Sequence, residues 1–200
     1  MKAAQGARLP ASDRRIQLLG IARERFGEDG YTATSMNVIA EAAGVTKPVL
    51  YQHFESKRHL FRELLTETAD ELSERLHSAL KSSSSGREKL ERGIHEYVAF
   101  FDENPRNFRV LYGEGVRSDE EFRSILRELS ESFHSFAATH IDIDELDQEG
   151  RMIAARAIAG QLEAAVEHWI TNGRRLPAKQ LSMILGSLAW RGLRGTSATG

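Results

Sequence analysis

Residues 32–61 read TATSMNVIAEAAGVTKPVLYQHFESKRHLF. Thr34 and Ser35 are hydroxyl residues standing before a short run in which Val38, Ile39, Ala42 and Ala43 face inward at helical spacing. Gly44 ends the run, and Gly44-Val45-Thr46 has the length of the turn in a helix-turn-helix. Thr46 is placed to cap the second helix with its hydroxyl, and Lys47 and Pro48 fill its first turn. A proline costs little there, because the N–H it lacks would have no intrahelical acceptor. Rotation of about 100° per residue turns Val49, Leu50 and His53 towards the rest of the unit, and Lys47, Pro48, Tyr51 and Gln52 away from it. That outer face offers a cation, an apolar ring, a phenol and an amide. These suit phosphate oxygens, a thymine methyl and base edges in a major groove. The stretch reads as a recognition helix.

Working outward, apolar residues recur at the helix period along the whole chain, with no alternation long enough to build a sheet. Ser12 is the expected cap of a first helix carrying Ile16, Leu19, Ala22 and Phe26, which stops in GEDGY (27–31). A long helix is expected from Ser56 to Lys81 with Leu60, Leu64, Leu72, Leu76 and Leu80 on one stripe, interrupted by Thr68. SSSSG (82–86) breaks the chain before a helix marked by Leu90, Ile94, Tyr97 and Phe101. A short apolar piece, NFRVLYGEG (107–115), leads to a repeat of Phe122, Ile125, Leu126, Leu129, Phe133 and Phe136. HIDIDELD (140–147) is an acidic connector. Residues 149–172 are apolar on most sides, and Pro177 suits the first turn of a last helix with Leu181, Ile184, Leu185 and Leu188. The fold class is all-α, about nine helices: an N-terminal three-helix unit over residues 1–60, then a larger helical body over 61–200.

Composition narrows the function. No apolar run approaches the roughly 20 residues that span a bilayer, and no signal segment opens the chain, so no membrane partner is expected. The absence of cysteine excludes disulfides, thiolate metal sites and cysteine nucleophiles, and fits a reducing, cytoplasmic interior. Residues 1–60 hold nine Lys/Arg against six Asp/Glu, leaving 18 against 23 in the remainder. A basic end on an acidic body points to an anionic partner at that end. His134 and His140 are six apart, and HIDIDELD lacks the glycine and terminal glutamate of a calcium loop, so no metal or other cofactor is expected.

The 32–61 stretch, with FGEDGY before it, resembles the DNA-binding signature of the TetR family of transcriptional regulators. The resemblance covers roughly residues 12–62 and rests on several spacings that agree at once. It implies DNA contact by Thr46, Lys47, Pro48, Tyr51 and His53, a phosphate grip by Lys57 and a hydroxyl contact by Thr34. Gln52 is a further candidate base reader. Pro48 stands where many members carry a small residue and removes one backbone donor. Arg8 and Arg14 are candidates to enter an adjacent minor groove.

In the body, Phe101, Phe108, Tyr112, Phe133 and Phe136 are core residues by default. They exceed what a body of this size needs to fold, so they are candidates to line an apolar cavity, with Glu163 and Glu167 among the groups that orient a ligand. The resemblance implies a dimer through the helix at 149–172 and the last helix, and a two-fold dimer reads a palindrome. The expected function is a ligand-responsive repressor, with a double-stranded DNA operator, a small apolar effector and a second copy of the chain as partners. Two rivals are weighed: a DNA-binding regulator or architectural protein without an effector, and a helical-bundle enzyme. The second is disfavoured, because no nucleophile motif, phosphate loop or metal-ligand spacing is present.

Overall fold

The structure, a computed structural model, describes residues 10–81, 85–141, 143 and 146–195. Among them are ten helices: α1 (Ala11–Asp29), α2 (Met36–Ala42), α3 (Lys47–His53), α4 (Lys57–Lys81), α5 (Gly86–Glu103), α6 (Arg106–Tyr112), α7 (Glu114–Ser118), α8 (Glu120–Ala138), α9 (Gln148–Thr171) and α10 (Ala178–Gly195). The sequence reading treats 107–115 as one apolar piece; Gly113, extended at φ −74° and ψ −179°, divides it into α6 and α7.

Side-chain caps set several helix starts. Ser35 accepts from the Val38 N–H, Ser56 from His59, Ser85 from Glu88 and Asp147 from Gly150. Asp147, read as a solvated connector residue, is therefore a cap; Asp142 and Asp144 lie outside the described residues, as do Ser82 to Ser84 and Arg8. Two other expected caps are absent. Helix α1 begins at Ala11 after Pro10, with Ser12 inside its first turn, and the Thr46 hydroxyl makes no capping bond. Gly30 (φ 86°) and Gly44 (φ 64°) supply the left-handed turns after α1 and α2.

Helices α1 to α3 close over Leu18, Ala22, Phe26, Ile39, Leu50 and Phe54, all nearly inaccessible. Of the residues expected inward on α1, Ala22 and Phe26 are buried and Leu19 is half-buried against the core, but Ile16 is 68% exposed and Leu18 is buried in its place. In α2, Met36, Ile39 and Ala40 are buried, whereas Val38 and Ala42 face out. Helix α4 is the spine of the molecule. Its leucine stripe is buried throughout, and Thr68 does not interrupt it, because its hydroxyl donates to the Leu64 carbonyl at 2.7 Å. A satisfied threonine in this position behaves as an apolar residue.

The body is laid along α4. Helix α5 returns antiparallel, with Gly93 against Leu80. Helix α8 runs parallel to α4: Phe122 packs on Phe61 at one end, and Phe136 stacks on His77 at the other. Helix α9 turns back along α8, tied by Arg156 to Glu131. Helix α10 runs back along α5, from Arg174 on Asp102 to Gly186 on Glu91.

The three-helix unit is fastened to this body at several points. Gly27 of α1 lies so close to α6 that an added Cβ would stand 2.3 Å from the Arg106 Cβ. Arg106 pairs with Glu24 and Glu28, and Arg109 donates to the Glu28 carbonyl. Glu114 accepts from the Thr32 N–H at 3.0 Å, and Gly115 packs under Tyr31. Arg58, at the start of α4, holds Asp119 and Glu121 at the start of α8.

Candidate nucleic-acid interface and ligand cavity

Helix α3 stands clear of the body. Thr46, Lys47, Pro48, Tyr51 and Gln52 are exposed, and Leu50 alone of the helix is fully buried. The Lys47 ammonium lies 5.9 Å from the Tyr51 ring, so cation and phenol form one patch. The uncapped Thr46 hydroxyl adds a free donor and acceptor beside it. His53 is half-buried at the far end of the helix, and its carbonyl accepts from Arg15 at 2.8 Å. Five of the eight residues expected at a DNA contact thus share one accessible face, and His53 sits at its margin.

The remaining two are placed differently. Thr34 is 1% exposed, and its hydroxyl donates to the Gly30 carbonyl at 2.7 Å, so its side chain closes the α1–α2 turn and does not face outward. The Lys57 ammonium is held by the carbonyls of Tyr31 (2.9 Å), Thr34 (3.0 Å) and Thr32 (3.4 Å) and sits 4.4 Å from the Tyr31 ring. An ammonium has three donors, and all three are taken. Lys57 is a clamp on the α1–α2 turn. Lys57→Ala is therefore expected to cost about 1–3 kcal/mol of stability, through carbonyls left unpaired. Lys47→Ala is expected to leave stability within ~0.5 kcal/mol and to lower the slope of log affinity against log salt by ~1 per subunit. Thermal unfolding and a salt titration of DNA binding separate the two lysines.

The body encloses a cavity of about 420 Å³ between α4, α5, α6, α8, α9 and α10. That volume lies in the range of small-molecule sites, roughly 300–1,000 Å³. Its wall is mainly aliphatic: Leu72 and Leu76 of α4, Ile94 of α5, Leu126 and Leu129 of α8, and Ile158 of α9. Of the expected lining residues, Tyr112, Phe133 and Glu163 are in the wall. Four are not. Phe101 and Phe108 pack on each other and on Tyr112 behind it, with ring centroids 5.4 Å and 4.9 Å apart. Phe136 stacks on His77 at 4.2 Å, outside the cavity, and Glu167 lies one turn beyond Glu163. The space is opened by small residues: Gly86 and Gly93 of α5, and Ala155, Ala159 and Gly160 of α9, the helix expected at a subunit contact.

Polar groups interrupt the wall, Ser73, Lys89, Ser130, His140 and Arg156 among them. The Tyr97 hydroxyl donates to that of Tyr112 at 3.3 Å. Burial pushes the Tyr97 phenol well above its ordinary value and that of Tyr112 up to about 12, so both stay protonated at neutral pH. Glu163 faces the same pair; dehydration, then the neighbouring Glu167, raises its carboxyl. The His134 Nδ1 is buried without a partner, and dehydration, then the Arg156 cation, keeps that imidazole below its ordinary value. Among the described residues, no group of three or more His, Asp or Glu is arranged to hold a metal ion, and no helix is long and apolar enough to cross a membrane.

The family of bacterial regulatory proteins named for tetR matches residues 18–64, and the tetracyclin repressor-like C-terminal domain matches residues 86–192. The chain belongs to the TetR family. Among TetR-family and other regulators it resembles the transcriptional activator FasR of Mycolicibacterium smegmatis, with 31% identity over 94% of this chain and 87% of that protein. It is also similar to the transcriptional repressor KstR2 of the same species, with 40% identity over 40% of this chain and 39% of that one. A TetR-like regulator from Rhodococcus sp. RHA1 superposes with a TM-score of 0.77 at 27% identity, covering 94% of this chain and 100% of that one. In this TetR-family chain α4 follows directly on the helix-turn-helix and also walls the cavity.

Proposed function

We propose that the chain binds a palindromic operator as a homodimer and leaves it when a small, largely apolar molecule fills the body cavity, as a repressor does. The DNA-binding unit is residues 1–60 and the effector-binding and dimerisation unit 61–200, with α4 common to both. The observation that carries this reading is the position of α4 and α6. Leu72 and Leu76 of α4 and Tyr112 of α6 wall the cavity, while Lys57 of α4 holds the α1–α2 turn and Arg106 and Arg109 of α6 hold α1 of the three-helix unit. Dimerisation is supported by apolar side chains left uncovered on α9 and α10: Ile153 (60% exposed), Met183 (58%), Ile184 and Leu188 (57%).

A ligand shifts such an equilibrium only by its preference for one state. Coupling of about 1–3 kcal/mol changes operator affinity by roughly 5–150-fold. The test begins with a duplex operator recovered by selection from random sequence. Apolar small molecules that raise the melting temperature are then titrated against the operator complex. A 5–150-fold loss of affinity is expected. Tightening would make the response that of an activator. Cavity occupancy with unchanged affinity would favour the second reading, a DNA-binding regulator without an effector.

A further inference from the structure

Two hydroxyls joined by one hydrogen bond carry two hydrogens and use only one. In the Tyr97–Tyr112 pair the second hydrogen has no acceptor among the described residues, although both phenols line the cavity and Tyr97 is 6% exposed. No hydrogen bond joins Glu163 to either hydroxyl. Leaving a buried donor unmatched is unfavourable, and two phenylalanines would fill the same volume without it. The remaining wall at this end, Leu111, Leu126 and Leu162, offers no acceptor from its side chains.

The cavity is also long and thin. It runs along α5 from Gly86 to Tyr97, eleven residues, or about 16 Å at the helical rise. Spread over that length, 420 Å³ leaves a bore close to that of a single extended chain. The Tyr pair closes the end nearest α6 and the DNA-binding unit.

We propose that the cavity takes an elongated apolar molecule whose α6-facing end carries an uncharged oxygen acceptor (a carbonyl, ether or hydroxyl), and that Tyr112, backed by Tyr97, reads that oxygen. An anionic end is turned away because Glu163 faces the same two hydroxyls, and its field reaches both. The inference rests on the cavity being the effector site, and it makes Tyr112 a specificity-determining residue on the helix that holds α1.

The test compares wild type with Tyr112→Phe and with Tyr97→Phe/Tyr112→Phe, which keeps both rings and removes both hydrogens. Occupancy is followed with N-phenyl-1-naphthylamine, a neutral apolar dye without oxygen, displaced by 1-decanol or by decanoate. The dye is expected to bind all three proteins alike. The double variant is expected to bind 1-decanol roughly 3–10-fold more weakly, to bind decanoate within about 2-fold of wild type, and to unfold no lower than wild type in the absence of ligand. Unchanged 1-decanol affinity in the double variant overturns the proposal, as does an equal loss for decanoate. A lowered melting temperature of the free double variant would also overturn it, by showing that the hydroxyls serve the fold. If neither dye nor decanol enters the wild-type cavity, the effector reading falls and this inference with it. Dye binding without oxygen preference removes this inference alone.

Discussion

Phe61→Ala is expected to lower stability by about 3–5 kcal/mol, the range for removing a fully buried phenylalanine. For a chain of this length that corresponds to a fall of roughly 6–20 °C in melting temperature. Phe61 is 1% exposed and sits at the centre of a cluster of rings, with Phe26 at 5.0 Å, Tyr31 at 4.8 Å and Phe122 at 5.0 Å. Those partners belong to α1, the turn after it and α8, so one truncation empties the point where the reading unit meets the body. A Cβ added at Gly115 would stand 3.3 Å from the Phe61 Cζ, so the glycine has no side chain with which to fill the gap. Chemical and thermal unfolding give the number. A loss under about 1 kcal/mol would mean that the surrounding rings collapse into the space, and the node would lose its importance.

The second large effect lies on the outer face of α3. Tyr51→Ala is expected to remove about 1–3 kcal/mol of operator binding at each half-site. A two-fold dimer carries the change twice, so the total is about 2–6 kcal/mol, or roughly 30- to 10⁴-fold in affinity. Stability should hardly move, because Tyr51 is 42% exposed and its ring lies beside the likewise exposed Lys47. Operator affinity measured by fluorescence anisotropy, alongside a melting curve, distinguishes loss of contact from loss of fold. A fall of less than about 3-fold would remove Tyr51 from the interface and leave Lys47 and Gln52 to account for it.

The helix-turn-helix was legible because its signals are local. Ser35 as a cap, Gly44 at positive φ, and Pro48 in a first turn depend only on residues three or four away. The leucine stripe of α4 was legible for the same reason. What the sequence concealed depends on the register between helices. Tyr97 and Phe101 are one helical turn apart on the same face, so which of them reaches the cavity is decided by how far the space extends along α5 and not by the helix period. Aromatic residues drew attention to the body, but the space itself is made by absent side chains, at Gly93, Ala159 and Gly160. Thr34 and Lys57 illustrate another limit. A resemblance transfers a position, whereas hydrogen bonds to Gly30, Tyr31 and Thr34 determine whether its side chain is free. Ile16 shows the limit of periodicity. With α1 beginning at Ala11, one residue of phase separates it from the buried side, where Leu18 lies.

The fastening of α1 to α6 has a consequence for the kind of DNA such a protein tolerates. Gly27 seated on Arg106, and Gly115 under Tyr31, leave no slack at the joint between head and trunk. An extra base pair between half-sites displaces one of them by about 3.4 Å and swings it about the duplex axis by roughly 35°. In the proposed dimer, a joint packed this tightly passes such a misfit on to the two-fold seam or to the DNA itself. The length of the operator would thereby be set chiefly at the seam between the two copies.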